Sequence, residues 1–271
     1  MSNFLNVVRL AADGGLDGVS DAVILAMSAV VFLLLVASVA ALVVSVYLAV
    51  RYTRYNKKPN SCGKTGEEIA RKILDDNGLS NIKVSKSGSL LFGNSYSHYF
   101  KKVRLRRLTW KKQSVTSLAM AAQKSALAVL DKENDADMKA RVRMTPFIYF
   151  GPLAFVPLVI IGAFLDLFVF LNKTGIFTIS LTAVGLVFYL LSFVMSVLVL
   201  KTEKKAQDRA CELMKNEGLA TDEEIEMCRK LFRLYNIEYI NDMVIALLEL
   251  IYRVLQIIAY VQNASASASK S

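Results

Sequence analysis

The sequence predicts a mostly α integral membrane protein with about four transmembrane helices and, on the cytoplasmic or matrix side, an α+β region with a small β-sheet. Three observations predict it. The chain of 271 residues is 54% hydrophobic with a mean hydropathy of +0.41, too apolar for an ordinary soluble domain. Its apolar residues gather into long runs, and about 20 such residues cross about 30 Å of hydrocarbon. Its basic residues gather in one loop between the runs.

Residues 1–22 form a tail with Asp13, Asp17 and Asp21 against Arg9 alone, so neither a cleavable signal peptide nor an Arg-rich transit peptide is expected. Residues 23–50 carry no charge and form the first predicted span. Residues 51–144 hold 21 Lys and Arg against 8 Asp and Glu, which keeps this loop inside and places the N-terminus outside. Within it, Thr65 and Glu68 make a capping-box signature that opens a helix, GEEIARKILDDN, ending at Asn77-Gly78. The runs 81–84, 89–92 and 101–108 read as short strands. A nearly all-apolar helix over about 114–130 is expected to be buried.

The second span, 145–171, contains one charge, Asp166, which lies near enough to its outer end to reach water; Pro146, Pro152 and Pro157 predict kinks. A turn at 172–175 leads into the third span, 174–200. Residues 201–241 read as inner amphipathic helices, one starting near Lys201 and another at Thr221, where Glu224 completes a second capping box. Residues 242–261 form a fourth helix, transmembrane or interfacial, with Glu249 and Arg253 as an intramembrane pair at i, i+4; residues 262–271 are a tail.

The net charge of +10 is distributed around the spans rather than along a stripe interleaved with aromatics, so it is read as a topology signal, with no nucleic-acid partner. Cys62, Cys211 and Cys228 form no CxxC, which argues against a disulfide framework or a zinc ribbon and leaves buried free thiols. Gly63-Lys64-Thr65 lacks the first glycine and the preceding strand of a phosphate loop.

The anchor leads into Tyr52-Thr53-Arg54-Tyr55, then Gly63-Lys64-Thr65-Gly66, then Ala70, Leu74 and Asn77-Gly78-Leu79. This order resembles the membrane-bound neutral zinc metallopeptidases of the YugP type, over roughly residues 45–250. The resemblance makes the inner α+β region metallopeptidase-like. In that family an HExxH helix supplies two zinc ligands and a general base, and a later Glu completes the site. Laid on that helix, 119–130 puts Gln123 at the first His, Lys124 at the general base and Leu127 at the second His. The later motif places Glu203 at the third ligand, with Arg209-Ala210 at its end.

The resemblance therefore implies a divergent member with no catalytic residues and zinc lost. The chain has one histidine, His98, so no HExxH exists anywhere in it; His98 beside Tyr96 and Tyr99 reads as a surface or packing residue. Two arrangements stay open for Lys124. It pairs with Glu203, supplying the charge the metal once supplied, with Gln123 adding a hydrogen bond; or it reaches solvent and Glu203 is an ordinary helix-start acid. The expected function is a catalytically inactive pseudoenzyme serving as a structural or binding subunit of a membrane protein complex, its partners the lipid bilayer and other membrane subunits. The alternative is an active zinc metallopeptidase with non-standard ligands. A bacterial cytoplasmic membrane or a mitochondrial inner membrane fits the charge pattern.

Overall fold

In the computed structural model, residues 18–88, 93–170 and 175–268 are described, together with Leu5, Val8 and Leu16. The expected strand at 89–92 and most of the turn at 172–175 lie outside them. The fold is mostly helical, with one small mixed sheet. The elements are α1 (Asp21–Lys57), α2 (Gly66–Asp76), β1 (Lys83–Lys86), β2 (Ser95–Ser97), β3 (Lys102–Leu105), α3 (Arg107–Lys111), α4 (Val115–Lys132), α5 (Ala136–Phe164) with a π-helical turn (Leu165–Val169), α6 (Ile176–Asn216) and α7 (Asp222–Ala268).

The chain divides into two compact units, residues 1–42 with 241–271, and residues 43–240. In the first, Gly18 N donates to Asn263 Oδ1 (2.9 Å), Ser20 N to Gln262 Oε1 (2.9 Å), and Asn241 Nδ2 to Ala37 O (3.3 Å). Leu5, Val19, Ile24 and Ala259 make its small buried cluster.

The second unit is built around α4. Every residue from Val115 to Leu130 except Lys124 is buried. A helix apolar all round needs neighbours all round, and α2, α3, β2, β3, α5 and α6 supply them. Alanines at 119, 121, 122, 126 and 128 keep its surface low, so these neighbours approach closely. The end of α1 is tied to the start of α4: Val115 N donates to Lys58 O (3.0 Å), Asn60 N to Gln113 O (3.1 Å), and Thr116 Oγ1 to Tyr52 O (3.1 Å). The sheet has order β1-β3-β2, with β1 parallel and β2 antiparallel to β3, and Val103 and Leu105 point into the core.

Local signals set the helix ends. Thr65 and Glu68 form the expected reciprocal capping box, and Thr221 and Glu224 form the second. Helices α2, α4 and α6 each close in a Schellman arrangement, through Leu79 N to Leu74 O (2.7 Å), Asp135 N to Leu130 O (3.1 Å) and Leu219 N to Met214 O (2.9 Å). The left-handed residues these closures need are Gly78, Asn134 and Gly218.

Several expectations change. No new helix starts near Lys201: α6 runs unbroken from Ile176 to Asn216, and α7 unbroken from Asp222 to Ala268. Neither segment contains proline, and a switch from apolar to charged side chains does not interrupt the backbone ladder. An additional strand, β2, forms at Ser95–Ser97.

Among the described residues, three helices are long and apolar enough to cross a membrane: α1, α6 and α7 over Asp222–Asn263. The apolar part of α5 with its π turn, Ala154–Val169, is shorter. Exposed Phe32, Leu35 and Leu42 on α1 and Leu167 and Phe168 on the π turn suit contact with lipid.

Asp166 is buried rather than wet. Its carboxylate accepts from Phe177 N (3.1 Å), Thr178 N (2.7 Å) and Thr178 Oγ1 (2.7 Å), satisfying the free N–H groups at the start of α6. Beside it, a Cβ on Gly162 would lie 2.6 Å from Thr178 Cα and 2.8 Å from Phe177 O, so a side chain there would push the α5–α6 hairpin apart. Gly162→Ala is expected to destabilise the protein by about 1–3 kcal/mol in unfolding from detergent micelles; a variant as stable as the parent would contradict this close approach.

Candidate functional site

Helix α4 carries Gln123 and Lys124 toward α6, where Glu203 sits three residues beyond the apolar run 176–200. Glu203 Oε2 accepts from Lys124 Nζ (2.8 Å) and from Gln123 Nε2 (2.8 Å). Its other oxygen, Oε1, meets Arg141 Nη2 of α5 at 2.9 Å. All three charged side chains are largely withdrawn from water, at 13%, 17% and 19% exposure for Lys124, Glu203 and Arg141.

The charges decide the protonation state. Burial alone would raise the Glu203 carboxyl, but Lys124 and then Arg141, through charge and hydrogen bonds, hold it down at about 2. The cluster is one anion held by two cations and one amide donor.

Other contacts fix α6 in this register. Lys201, Lys205 and Arg209 follow one another at four-residue intervals and so share a face. Lys201 Nζ meets Asp137 Oδ1 (2.8 Å), Lys205 Nζ meets Asp135 Oδ2 (2.9 Å), and Arg209 Nη2 meets Glu133 Oε1 (2.6 Å). These acids lie on the connection from α4 to α5 and on the first turn of α5. On another side of α6, Gln207 and Asn236 exchange two amide hydrogen bonds of 2.8 Å, which holds α7.

Leu127, one turn from Gln123 on the same face of α4, is 1% exposed and lies in the apolar core. Of the sequence-derived residues, the structure thus gathers Gln123, Lys124 and Glu203, and adds Arg141. Nothing in the sequence singled out Arg141 from the other basic residues of 139–143. Glu249 and Arg253 lie elsewhere, half-buried and one turn apart on α7 in the other unit. His98 is not a bare surface residue: its Nδ1 lies 2.6 Å from Asp131 Oδ2, which also accepts from Tyr96 OH at 2.6 Å. Burial and then Asp131 push the Tyr96 hydroxyl far up. Cys211 and Cys228 are buried free thiols and Cys62 is half-buried.

The stretch from the helix bearing Gln123 and Lys124 to the helix bearing Glu203 falls inside a match to a known family. The family described as "Putative neutral zinc metallopeptidase" matches residues 30–258. The chain belongs to that family. A relative, "Putative membrane protease YugP" of Bacillus subtilis (strain 168), is 24% identical over 200 residues, covering 74% of this chain and 84% of the relative. No solved structure matches the chain. With three long apolar helices and this membership, the chain is an integral membrane protein.

The family's name implies zinc, and the residues of this cluster do not fit it. A tetrahedral zinc site needs three or four Cys, His or carboxylate ligands. Among the described residues no group of three or more His, Cys, Asp and Glu could hold a metal ion. Glu203 offers one carboxylate, and both its oxygens already face cations. Two unit charges 4 Å apart interact by about 4 kcal/mol at an effective dielectric of 20. A dication beside Lys124 and Arg141 would meet about twice that repulsion from each.

Two predictions follow from the cluster's burial. Glu203→Ala strands Lys124 and Arg141 and is expected to lower unfolding stability by about 3–5 kcal/mol, whereas replacing all three with Leu or Met is expected to be near neutral. Equal losses in both variants would contradict the pairing. The Glu203 carboxyl titrates lower in the folded protein than its ordinary 4.5, so its stabilisation is full above pH 4.5 and is lost as pH falls through about 2. The Tm gap between parent and Glu203→Gln, read by scanning fluorimetry in detergent, should therefore be constant above pH 5 and close below it; a gap that widens toward acid would contradict this sign.

Proposed function

We propose that this family member is a pseudoenzyme: a metallopeptidase frame whose zinc site has become a permanent charge cluster, and which acts as a structural or binding subunit of a membrane protein complex. The observation that carries the reading is the double ion pair on Glu203. The residue the resemblance places at the third metal ligand is held by Lys124, which the resemblance places at the general base, and by Arg141. An ammonium ion-paired to a carboxylate is a donor, not an acceptor, so Lys124 at the general-base position is unsuited to take a proton from water. Gln123 and Leu127 offer no imidazole.

In this reading α5 crosses the bilayer with α6 as a hairpin, which gives four crossings with α1 and α7. The basic loop 51–144 and the charged half of α6 lie on the cytoplasmic or matrix side, and the N-terminus lies outside. Glu249 and Arg253, at i, i+4 on α7, pair within the membrane and mark a face for a neighbouring subunit. Exposed apolar side chains along α1 and α7 leave room for such neighbours as well as for lipid.

Metal analysis and a proteolysis assay on the purified full chain test the reading together. After incubation with zinc and removal of the excess, the protein is expected to hold far less than one zinc per chain and to cleave no casein or membrane-protein substrate. Stoichiometric zinc and proteolysis, both abolished by Glu203→Ala, would establish the opposite case, an active protease with non-standard ligands.

A further inference from the structure

A second feature lies apart from the Glu203 cluster. A cavity of about 660 Å³ opens between the loop after α2, the turn after β2, the end of α4 and the first turns of α5. Lys101, Lys132, Lys139 and Arg143 line it. Its one acid, Asp131, is taken up by Tyr96 OH and His98 Nδ1, both at 2.6 Å. Among the described residues none of the four basic side chains forms an ion pair, although Lys132 Nζ donates to the carbonyl of Asn77 at 2.7 Å. By contrast, Lys201, Lys205 and Arg209 on α6 each meet an acid. Here four positive charges share one hollow with a single, already engaged carboxylate.

The backbone presents Lys101 on a tight turn. Lys101 adopts φ +44°, closing a turn in which its N–H donates to His98 O at 3.3 Å. A side-chain-bearing residue is uncommon in that region. Lys139 and Arg143 stand one turn apart on α5, on the face that lines the cavity, while Arg141 between them turns to Glu203. Helix α5 continues unbroken from Arg143 into the apolar run that starts at Pro146. At 1.5 Å per residue, Arg143 lies about 4.5 Å before that run. On the proposed reading in which α5 crosses the bilayer, the cavity stands near the depth of the phospholipid headgroups.

We propose that this cavity binds a phosphate-bearing anion, and that in the membrane this anion is the headgroup of an acidic phospholipid. A phosphoryl group offers several acceptor oxygens to Lys and Arg donors converging from different elements. Its charge relieves the mutual repulsion of the four cations. The volume falls within the range of small-ligand sites. The phosphate site does not rest on the pseudoenzyme reading, since the two clusters share no side chain, whereas its lipid source rests on the reading that α5 crosses the bilayer.

The test uses the full chain in nanodiscs of phosphatidylcholine with a minor fraction of phosphatidylglycerol, with the lipid retained after detergent release read by native mass spectrometry. The parent is expected to keep phosphatidylglycerol in preference to phosphatidylcholine. K139Q/R143Q is expected to lower the retained fraction roughly tenfold, and K101Q, at an exposed turn that leaves the core intact, to lower it several-fold. K111Q/K112Q, which removes two exposed charges away from the cavity, is expected to leave it unchanged. Displacement of the lipid by inorganic phosphate would identify a soluble phosphate ligand, and retention against phosphate would identify the lipid; either supports a phosphate site. Equal retention of both lipids with no phosphate binding, equal losses in the two double variants, or preferential binding of a poly-glutamate peptide would overturn it.

Discussion

The unit spanning residues 43–240 is organised by the need to neutralise one buried carboxylate. Glu203 lies where α4, α5 and α6 meet, largely withdrawn from water, and an uncompensated charge there would be costly. Lys124 from α4 and Arg141 from α5 each meet one of its oxygens, and Gln123 adds a third donor. Three helices are thus tied at one point. The charge ladder of Lys201, Lys205 and Arg209 holds α6 in the register that makes the tie possible.

Such a tie does the positional work of a structural metal by other means. A zinc ion joins ligands from separate helices and fixes their spacing. Two cations from the protein can do the same for a carboxylate, with no metal to acquire or lose. In the proposed reading the chemistry differs too. A zinc site with an open position activates water, whereas here both oxygens of the Glu203 carboxylate are engaged by an ammonium and a guanidinium. The chain matches its family over residues 30–258, and among the described residues no group of three or more His, Cys, Asp and Glu could hold a metal ion.

What the sequence made legible were the features whose causes are local. The capping boxes at Thr65 and Thr221, the glycine that closes α2 and the nearly all-apolar surface of α4 each follow from a few neighbouring residues. Features that depend on partners far along the chain were not legible. Arg141 looked like any member of a basic stretch until α6 brought Glu203 to it. Asp166 looked like a charge near water because its partners, Phe177 and Thr178, lie across the hairpin. His98 looked like a loop histidine because Asp131 belongs to a different element. The break expected near Lys201 reflected a change of surroundings, not of backbone, which is why α6 crosses it intact. Gln123, Lys124 and Glu203 were singled out only through the resemblance, since no periodicity or spacing links α4 to α6.

The central claim is that Lys124 and Glu203 are energetically coupled. A double-mutant cycle tests it most directly, with Lys124→Met, Glu203→Gln and the pair compared by equilibrium unfolding of the full chain in detergent at neutral pH. A coupling energy of about 1–3 kcal/mol, with the double variant less destabilised than the sum of the singles, is the predicted result. Additive losses, with a coupling energy near zero, would contradict the account.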